Sequence, residues 1–470
     1  MCMASRLLQG RRCTRGLHMS TQAERRVPVS VMTRRTALAQ GGLLAGALLV
    51  ACGQKPAPPQ PVVRPVRVAF WGERAAAQSR SAVERGLIAS FQQVEPRIEI
   101  QYQGGAQAAG SRLVEALAAG QAADAFGLSL EEFGALEARN VLAEVDYTAW
   151  GVKTARQLME FYLDGTIEPL IERERGRLLA LPADVINFGL LVHGRHAQEA
   201  GLDARRDTPR AWDDLPGFAQ RLTRREAGIT IRRGFDFYYY GIEGITVDLG
   251  MATQLGGDFF APDRRSCNLT APPFVRALEF QQDYVYKYKL GDPTLREPVA
   301  AFLQEGLSSV LAGIATIVAL QRTAPQLVES LHVAPFPMFK DSRRRSGSAW
   351  YGSLWAVNAA APQEVQGAAW RWLRHLSTNA ARYYEAFGML HPNRELLGSA
   401  QFKQIPFGMV FVSDLRHGTV YLIHPGASAI RMIWQRAREA IVRDGVSPRD
   451  QLQRAKNEID ALLGRSVPAQ

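Results

Sequence analysis

The 470-residue chain lacks most signatures of covalent chemistry. It contains no Gly-x-Ser-x-Gly, no His-Glu-x-x-His and no phosphate loop, which excludes the commonest hydrolase, zinc-peptidase and nucleotide-binding sites. His193 and His196 stand three apart, but no cysteine or well-placed carboxylate completes a zinc set, so neither a metal nor a cofactor is expected. "GGAQAAG", residues 104–110, has its glycines misplaced for a phosphate motif and reads as a plain loop. Carboxylate pairs such as Glu131-Glu132 and Asp213-Asp214 suit exposed helices. Basic residues are plentiful but scattered, and the short clusters Arg224-Arg225, Arg232-Arg233 and 343–345 read as solvated turns. Nucleic acid is therefore not an expected partner. Cysteine is scarce, with four in all, and no apolar run reaches the roughly 20 residues that cross a bilayer.

The apolar run at residues 37–51 follows Thr33-Arg34-Arg35 and carries Gly41, Gly42 and Gly46, which weaken a helix interior. A basic segment, a short apolar segment and small residues at its end describe a secretory signal. Leu49-Val50-Ala51-Cys52 resembles the bacterial lipobox, which makes Cys52 the expected lipidation site and residues 1–51 the removed signal. The arginine pair also resembles a twin-arginine signal, although Ala37 stands where a large apolar residue is preferred. Residues 1–31 fit neither pattern, and translation is expected to start at Met32. Residues 1–51 hold eight Arg against Glu24, so their removal lowers the formal net charge from +11 to +4. Cys267 is then the one remaining thiol, which leaves no intramolecular disulfide and makes stability a matter of packing. Residues 52–65 are proline-dense and read as an extended tether, at about 3.1 Å per residue roughly 40 Å long.

The body opens with "VRVAFWG", whose alternation is that of a strand. A helix follows with Val83, Leu87, Ile88, Phe91 and Val94 on one face, then strand "IEIQY", a helix from Ser111, and a third strand at residues 125–128. This order argues for an α/β fold with a parallel sheet covered by helices. Farther on, Thr208 and Pro209 are expected to start a helix, "PPFVRALEFQQDYVYKY" to form another, and residues 427–442 and 448 onward the last two. Trp71 ends a strand, where open α/β sheets place their ligand crevice. Tyr238, Tyr239 and Tyr240 lie in a strand-like run, and Trp350-Tyr351-Gly352 precedes another. Trp212 and Trp370 belong to the core faces of helices.

Several stretches taken in order resemble the extracellular solute-binding proteins of ABC importers, in the family that includes maltose-binding protein. They are "VRVAFWG", "ALPADVINFGLLVHGRHAQEAGLD", "TPRAWDDL", "QLGGDFFAPD", "AAFLQEGLSSVLAG", "VAPFPMF", "GAAWRWLRHLST" and "DGVSPRDQL". The resemblance implies two α/β lobes joined by a hinge crossed three times, near residues 182–184, 352–355 and 390–391. The lobes would be 66–183 with 355–390, and 184–354 with 391–470. A solute, foremost a mono- or oligosaccharide, would bind between them and be delivered to a membrane permease. The protein would be exported and lipid-anchored at Cys52, facing the periplasm or cell exterior.

Position by position, the resemblance assigns ligand contacts to Trp71, Glu73, Ser129, Glu131, Asp184, Thr246, Asp248, Trp350 and Tyr351. It departs from the sugar-binding pattern at Gly313-Ile314-Ala315, which lacks the usual tryptophan, and at Met432, where maltose-binding protein has an aromatic. Both departures argue against a linear maltodextrin. Rival readings are a polyol, a glycerophosphodiester or an organic acid as solute, or a glycan-processing surface enzyme using Asp184 or Asp248.

Overall fold

The computed structural model describes residues 64–72, 77–103, 111–419 and 423–465. The expected signal, Cys52, nearly all of the tether, residues 104–110 and Glu73 lie outside them. Among the described residues no helix is long and apolar enough to cross a membrane. The strands are β1 (Val66–Trp71), β2 (Ile98–Gln103), β3 (Ala125–Leu128), β4 (Leu181–Asn187), β5 (Gly189–His193), β6 (Arg224–Glu226), β7 (Ile229–Phe235), β8 (Leu307–Ala312), β9 (Leu331–Ala334), β10 (Gly347–Val357) and β11 (Gly418–Thr419). The helices that matter below are α1 (Ala77–Val94), α2 (Ser111–Ala118), α3 (Leu130–Glu137), α4 (Gly241–Gln254), α5 (Pro272–Tyr286), α6 (Ile314–Thr323), α7 (Gln363–Thr378), α8 (Ala381–Phe387), α9 (Ala427–Val442) and α10 (Pro448–Arg465).

Two sheets result. The first runs β11-β10-β3-β1-β2, with β4 also paired to β10, and the second runs β6-β7-β8-β5-β9. The alternation in β1 buries Val68 and Phe70 and turns Arg67 outward, where it pairs with Glu99 of β2. β1 is parallel to β2 and β3, as expected, but β10 runs antiparallel to both β3 and β4, so the sheet is mixed. Trp372 of α7 meets Phe70 and Phe91 edge-on at 5.6 and 5.3 Å, which fastens this helix and α1 to the sheet. Each such buried side chain contributes about 1.5–3 kcal/mol over an exposed one. One expected helix starts late. Ala211 bridges to Met338 in extended conformation, and Thr208 donates back to Ala204, so the helix begins at Leu215.

The chain passes from the first sheet to the second at Phe188, a few residues beyond the expected crossing, because β10 holds β4 as far as Asn187. β10 carries an irregularity between Tyr351 and Leu354. There the Asp184 carboxylate lies so close over Gly352 that no Cβ fits, and it accepts a 2.9 Å hydrogen bond from Ser353. The third segment joins them where Val185 N–H donates to Leu390 at 2.9 Å. His391 then bonds the Ala183 carbonyl through Nδ1 at 2.9 Å and Ser377 Oγ through Nε2 at 2.8 Å. A carbonyl only accepts, so Nδ1 carries the proton and Nε2 accepts from the serine. Tyr162 OH, 3.1 Å from Ser377 Oγ, completes the chain as a donor.

Residues of the second sheet share one buried apolar core with α4, α5, α9 and α10. At the centre of that layer Asp248 and Arg438 are both fully buried. The carboxylate accepts from Arg438 Nε at 2.5 Å, Gln281 at 2.7 Å and Trp434 at 3.1 Å. Burial pushes its pKa up, and these three donors oppose that rise. Cys267 is also buried here, its thiol pushed up to about 12 by burial.

Two predictions concern this framework. Removing the carboxylate in Asp248→Ala strands the guanidinium and should cost about 3–5 kcal/mol. The readout is a lower urea midpoint followed by tryptophan fluorescence. Burial holds His391 down at about 4 against an ordinary 6.5, so the unfolded chain takes up the proton first as pH falls. Stability should therefore drop between about pH 6.5 and 4, by up to about 1.4 kcal/mol per unit. His391→Gln should flatten that part of a stability–pH curve, and an unchanged slope would contradict the buried neutral ring.

Candidate functional site

The residues around Phe188, where the chain changes sheets, form an aromatic floor. The Phe188 ring stacks on Tyr238 at 5.2 Å with planes 4° apart, and Trp350 meets it edge-on at 5.1 Å. Trp350 remains partly exposed. Tyr238 is pinned through its hydroxyl to the Leu311 carbonyl at 2.8 Å, and Tyr240 lies under the Arg296 guanidinium at 4.4 Å. The buried Arg438 reaches the same strip, donating to the carbonyls of Tyr238 and Tyr239 at 2.8 and 3.0 Å. The ion pair in the second core thus also sets the backbone of the aromatic run.

The wall on the first-sheet side is α3. Ser129 caps it, accepting from Glu132 N–H at 3.2 Å while the Glu132 carboxylate accepts from Ser129 N–H at 2.7 Å. Two residues on, Glu131 reaches Arg431 of α9 at 2.5 Å. Both side chains are about one-third exposed, 32% and 31%, so the pair contributes only about 0–1 kcal/mol. Gly134 presses on the backbone of His424 with no room for a Cβ. α6 and α8 also touch, and Arg322 donates to the Ala386 carbonyl at 2.7 Å.

Beyond the Gly134–His424 contact lies an open cavity of about 1460 Å³. Its first-sheet side is the C-terminal half of α3 and the hairpin closed by the Ile171–Leu178 bridge. The facing side is formed by residues 255–276, Asp341, Arg343 and His424. Burial and the nearby Glu172 push the Glu137 carboxyl up, against the pull of Arg264 and Arg173. Burial lowers the Arg264 pKa, and the positive charge of Arg173 lowers it further.

The residues expected to contact ligand divide into two groups. Trp71 ends β1, 8% exposed, with its indole N–H given to Gln103 at 2.9 Å. Ser129, Glu131 and Trp350 stand on the wall and floor just described. The others serve the framework. Thr246 is buried and donates to the Glu243 carbonyl at 2.8 Å, and Tyr351 is buried and donates to the Thr166 carbonyl at 2.8 Å. Asp248 is enclosed by its three donors and Asp184 is tucked over Gly352, so this conformation offers neither as a free acid or base. None of the eight that lie among the described residues lines the large cavity. Sequence reasoning missed Phe188, Arg431, Phe260 and Arg264. Arg431 adjoins Met432, which the departure from the family pattern marks. Among the described residues no group of three metal-ligating side chains is assembled.

No protein-family model matches the chain, and no curated protein matches its sequence. Solved structures do match its fold. The sugar-binding protein MalE of Xanthomonas citri aligns at a TM-score of 0.72 and 18% identity, covering 85% of this chain and 98% of its own. The cyclic alpha-maltosyl-1,6-maltose binding protein of Arthrobacter globiformis aligns at 0.72 and 17%, covering 85% and 100%. UgpB of Mycobacterium tuberculosis, solved with glycerophosphocholine, aligns at 0.69 and 18%, covering 85% and 98%. The chain has the two-lobed periplasmic-binding-protein fold of these proteins.

Proposed function

We propose that this chain is the extracytoplasmic receptor of an ABC importer, tethered through lipid on Cys52, and that it captures a carbohydrate and presents it to a membrane permease. The observation that carries this reading is the junction between the sheets. Three chain segments lie side by side there, beneath walls joined by one partly exposed ion pair, which is an arrangement suited to hinge closure. The lobes divide at Phe188, within β10 and near His391. Ligand chemistry is supplied by the Trp350–Phe188 floor, by Trp71 and by Glu131, with Ser129 at the edge; Glu73 is added on the family resemblance alone. Flat aromatic faces suit the apolar faces of sugars, and carboxylates accept from their hydroxyls. The neighbours named above bind sugars or a glycerophosphodiester, which favours a receptor over an enzyme. Turnover is not part of the proposal, since both candidate catalytic acids are committed to the framework.

The test is a thermal-shift panel of sugars, polyols, phosphodiesters and organic acids on the purified protein. A true ligand at 100 times its Kd should add about 2.7 kcal/mol and raise Tm by about a degree or two. Small-angle scattering should then report a smaller radius of gyration, and no product should form. Trp350→Ala should weaken binding about tenfold, or ~1.4 kcal/mol, with the fold intact by circular dichroism. Glycan cleavage abolished by Asp184→Asn would overturn the receptor reading in favour of an enzyme.

A further inference from the structure

Gly134 lies in the interior of α3, where glycine is the poorest helix former after proline. Its surroundings supply the reason. A Cβ at 134 would stand 2.7 Å from both the backbone N and the backbone O of His424, so the helix meets the 423–426 turn main chain to main chain. That turn is held in place. Gly426 N–H donates to His424 Nδ1 at 2.9 Å, and Ala427 N–H donates to the His424 carbonyl at 3.0 Å. Arg264, its backbone left-handed at φ 55°, lies 4.0 Å over the Phe260 ring and donates to the Ile423 carbonyl at 2.6 Å.

α3 and α9 run in opposite senses past this contact. α3 leaves the end of β3 at Ser129 and presents Glu131, Gly134 and Glu137 in turn. Gly134 meets residue 424 and Glu131 meets Arg431. Farther along α9, Gln435 and Arg438 donate to the carbonyls of Tyr239 and Tyr238 at 3.2 and 2.8 Å. The order along the helix pair is therefore aromatic run, ion pair, glycine contact and outer cavity. The cavity is lined by Gly134, Glu137 and His424, and by none of Trp71, Phe188 and Trp350. At 1.5 Å per residue, the ion pair stands roughly 6–10 Å along α9 from the residues that hold the aromatic run. That interval takes one or two sugar rings, and a longer chain lying along α9 would run into the glycine contact.

Resting on the receptor reading, we propose that Gly134 is the closing stop of the receptor, so that α3 and the 423–426 turn come together only over a short solute, a mono- or disaccharide. Glu131 and Arg431, from opposite lobes, latch them there. Any side chain at 134 would hold the lobes apart before the latch forms. Because the ion pair is partly exposed, the latch assists closure without imposing it.

Calorimetry and small-angle scattering on the purified wild type, Gly134→Ala and Arg431→Gln test this, with the ladders glucose to maltohexaose and xylose to xylohexaose beside the small solutes of the wider panel. The expected result is binding and compaction with a sugar of one or two rings or with one small solute, and affinity at least about tenfold lower at six rings. Alanine is the better helix former, so Gly134→Ala should keep or raise the urea midpoint of the free protein. It should nevertheless lose about tenfold or more in affinity, and the compaction with it. Arg431→Gln should lose up to about fivefold and respond less to salt than wild type. A lowered urea midpoint in Gly134→Ala would mark the contact as permanent framework and overturn the stop, and so would unchanged affinity. Full compaction over a hexasaccharide bound as tightly as a disaccharide would overturn the length limit. All three results leave the receptor reading standing. A folded wild type that binds no member of either ladder and no solute of the wider panel would overturn both.

Discussion

The constraint on which the rest depends is the strip where β4, β10 and the 390–391 segment lie side by side. Its tightest point is Asp184 over Gly352. A Cβ at 352 would displace the Asp184 carboxylate from its place beside Ser353. His391 secures the third segment by bonding a β4 carbonyl on one side and Ser377 on the other. If the strip is the hinge proposed above, it bends through backbone torsions at a few residues while its hydrogen bonds keep the segments in register. That is the property a binding protein needs if closure is to be repeatable. The same strip places Phe188 and Trp350 in contact, so the bending axis and the aromatic floor are made of the same residues.

Around this strip the polar groups that look most like chemistry turn out to be framework. Asp248 and Arg438 form a buried pair whose attraction is offset by the cost of desolvating both charges. The pair's second role gives it a use beyond stability, because Arg438 also holds the carbonyls of Tyr238 and Tyr239. The aromatic floor therefore stands on a charge network, whereas the wall contact Glu131–Arg431 is weak and exposed. Strong interactions sit where geometry must stay fixed, and weak ones sit where the lobes must separate.

How far the sequence is legible follows from the same division. Alternation in "VRVAFWG" and helical spacing in α5, α9 and α10 depend on one buried face, and these elements appear where the pattern puts them. The mixed direction of the first sheet is not legible, since strand alternation says nothing about which way a neighbour runs. The turn at Thr208–Ala211 resembles a helix start because cap and proline are both present. A bridge from Ala211 to Met338, far along the chain, keeps it extended. Distance from "QLGG" alone sets Thr246 and Asp248 beside the ligand. In fact α4 is enclosed along nearly its whole length, and a polar residue on such a helix has the same spacing whether it faces core or solute. Arg264 is, in the sequence, one of many scattered arginines. What distinguishes it is the left-handed backbone and the Phe260 ring beneath it, and neither is visible before folding.

The two departures from the sugar-binding pattern can now be weighed against the cavity. Gly313 begins α6 with Ile314 turned into the core, and Met432 stands about half exposed beside Arg431. A cleft missing two stacking platforms loses grip on a long neutral chain, whose affinity is built from repeated ring contacts. Loss of the two aromatic platforms therefore bears on what the proposed cleft could grip.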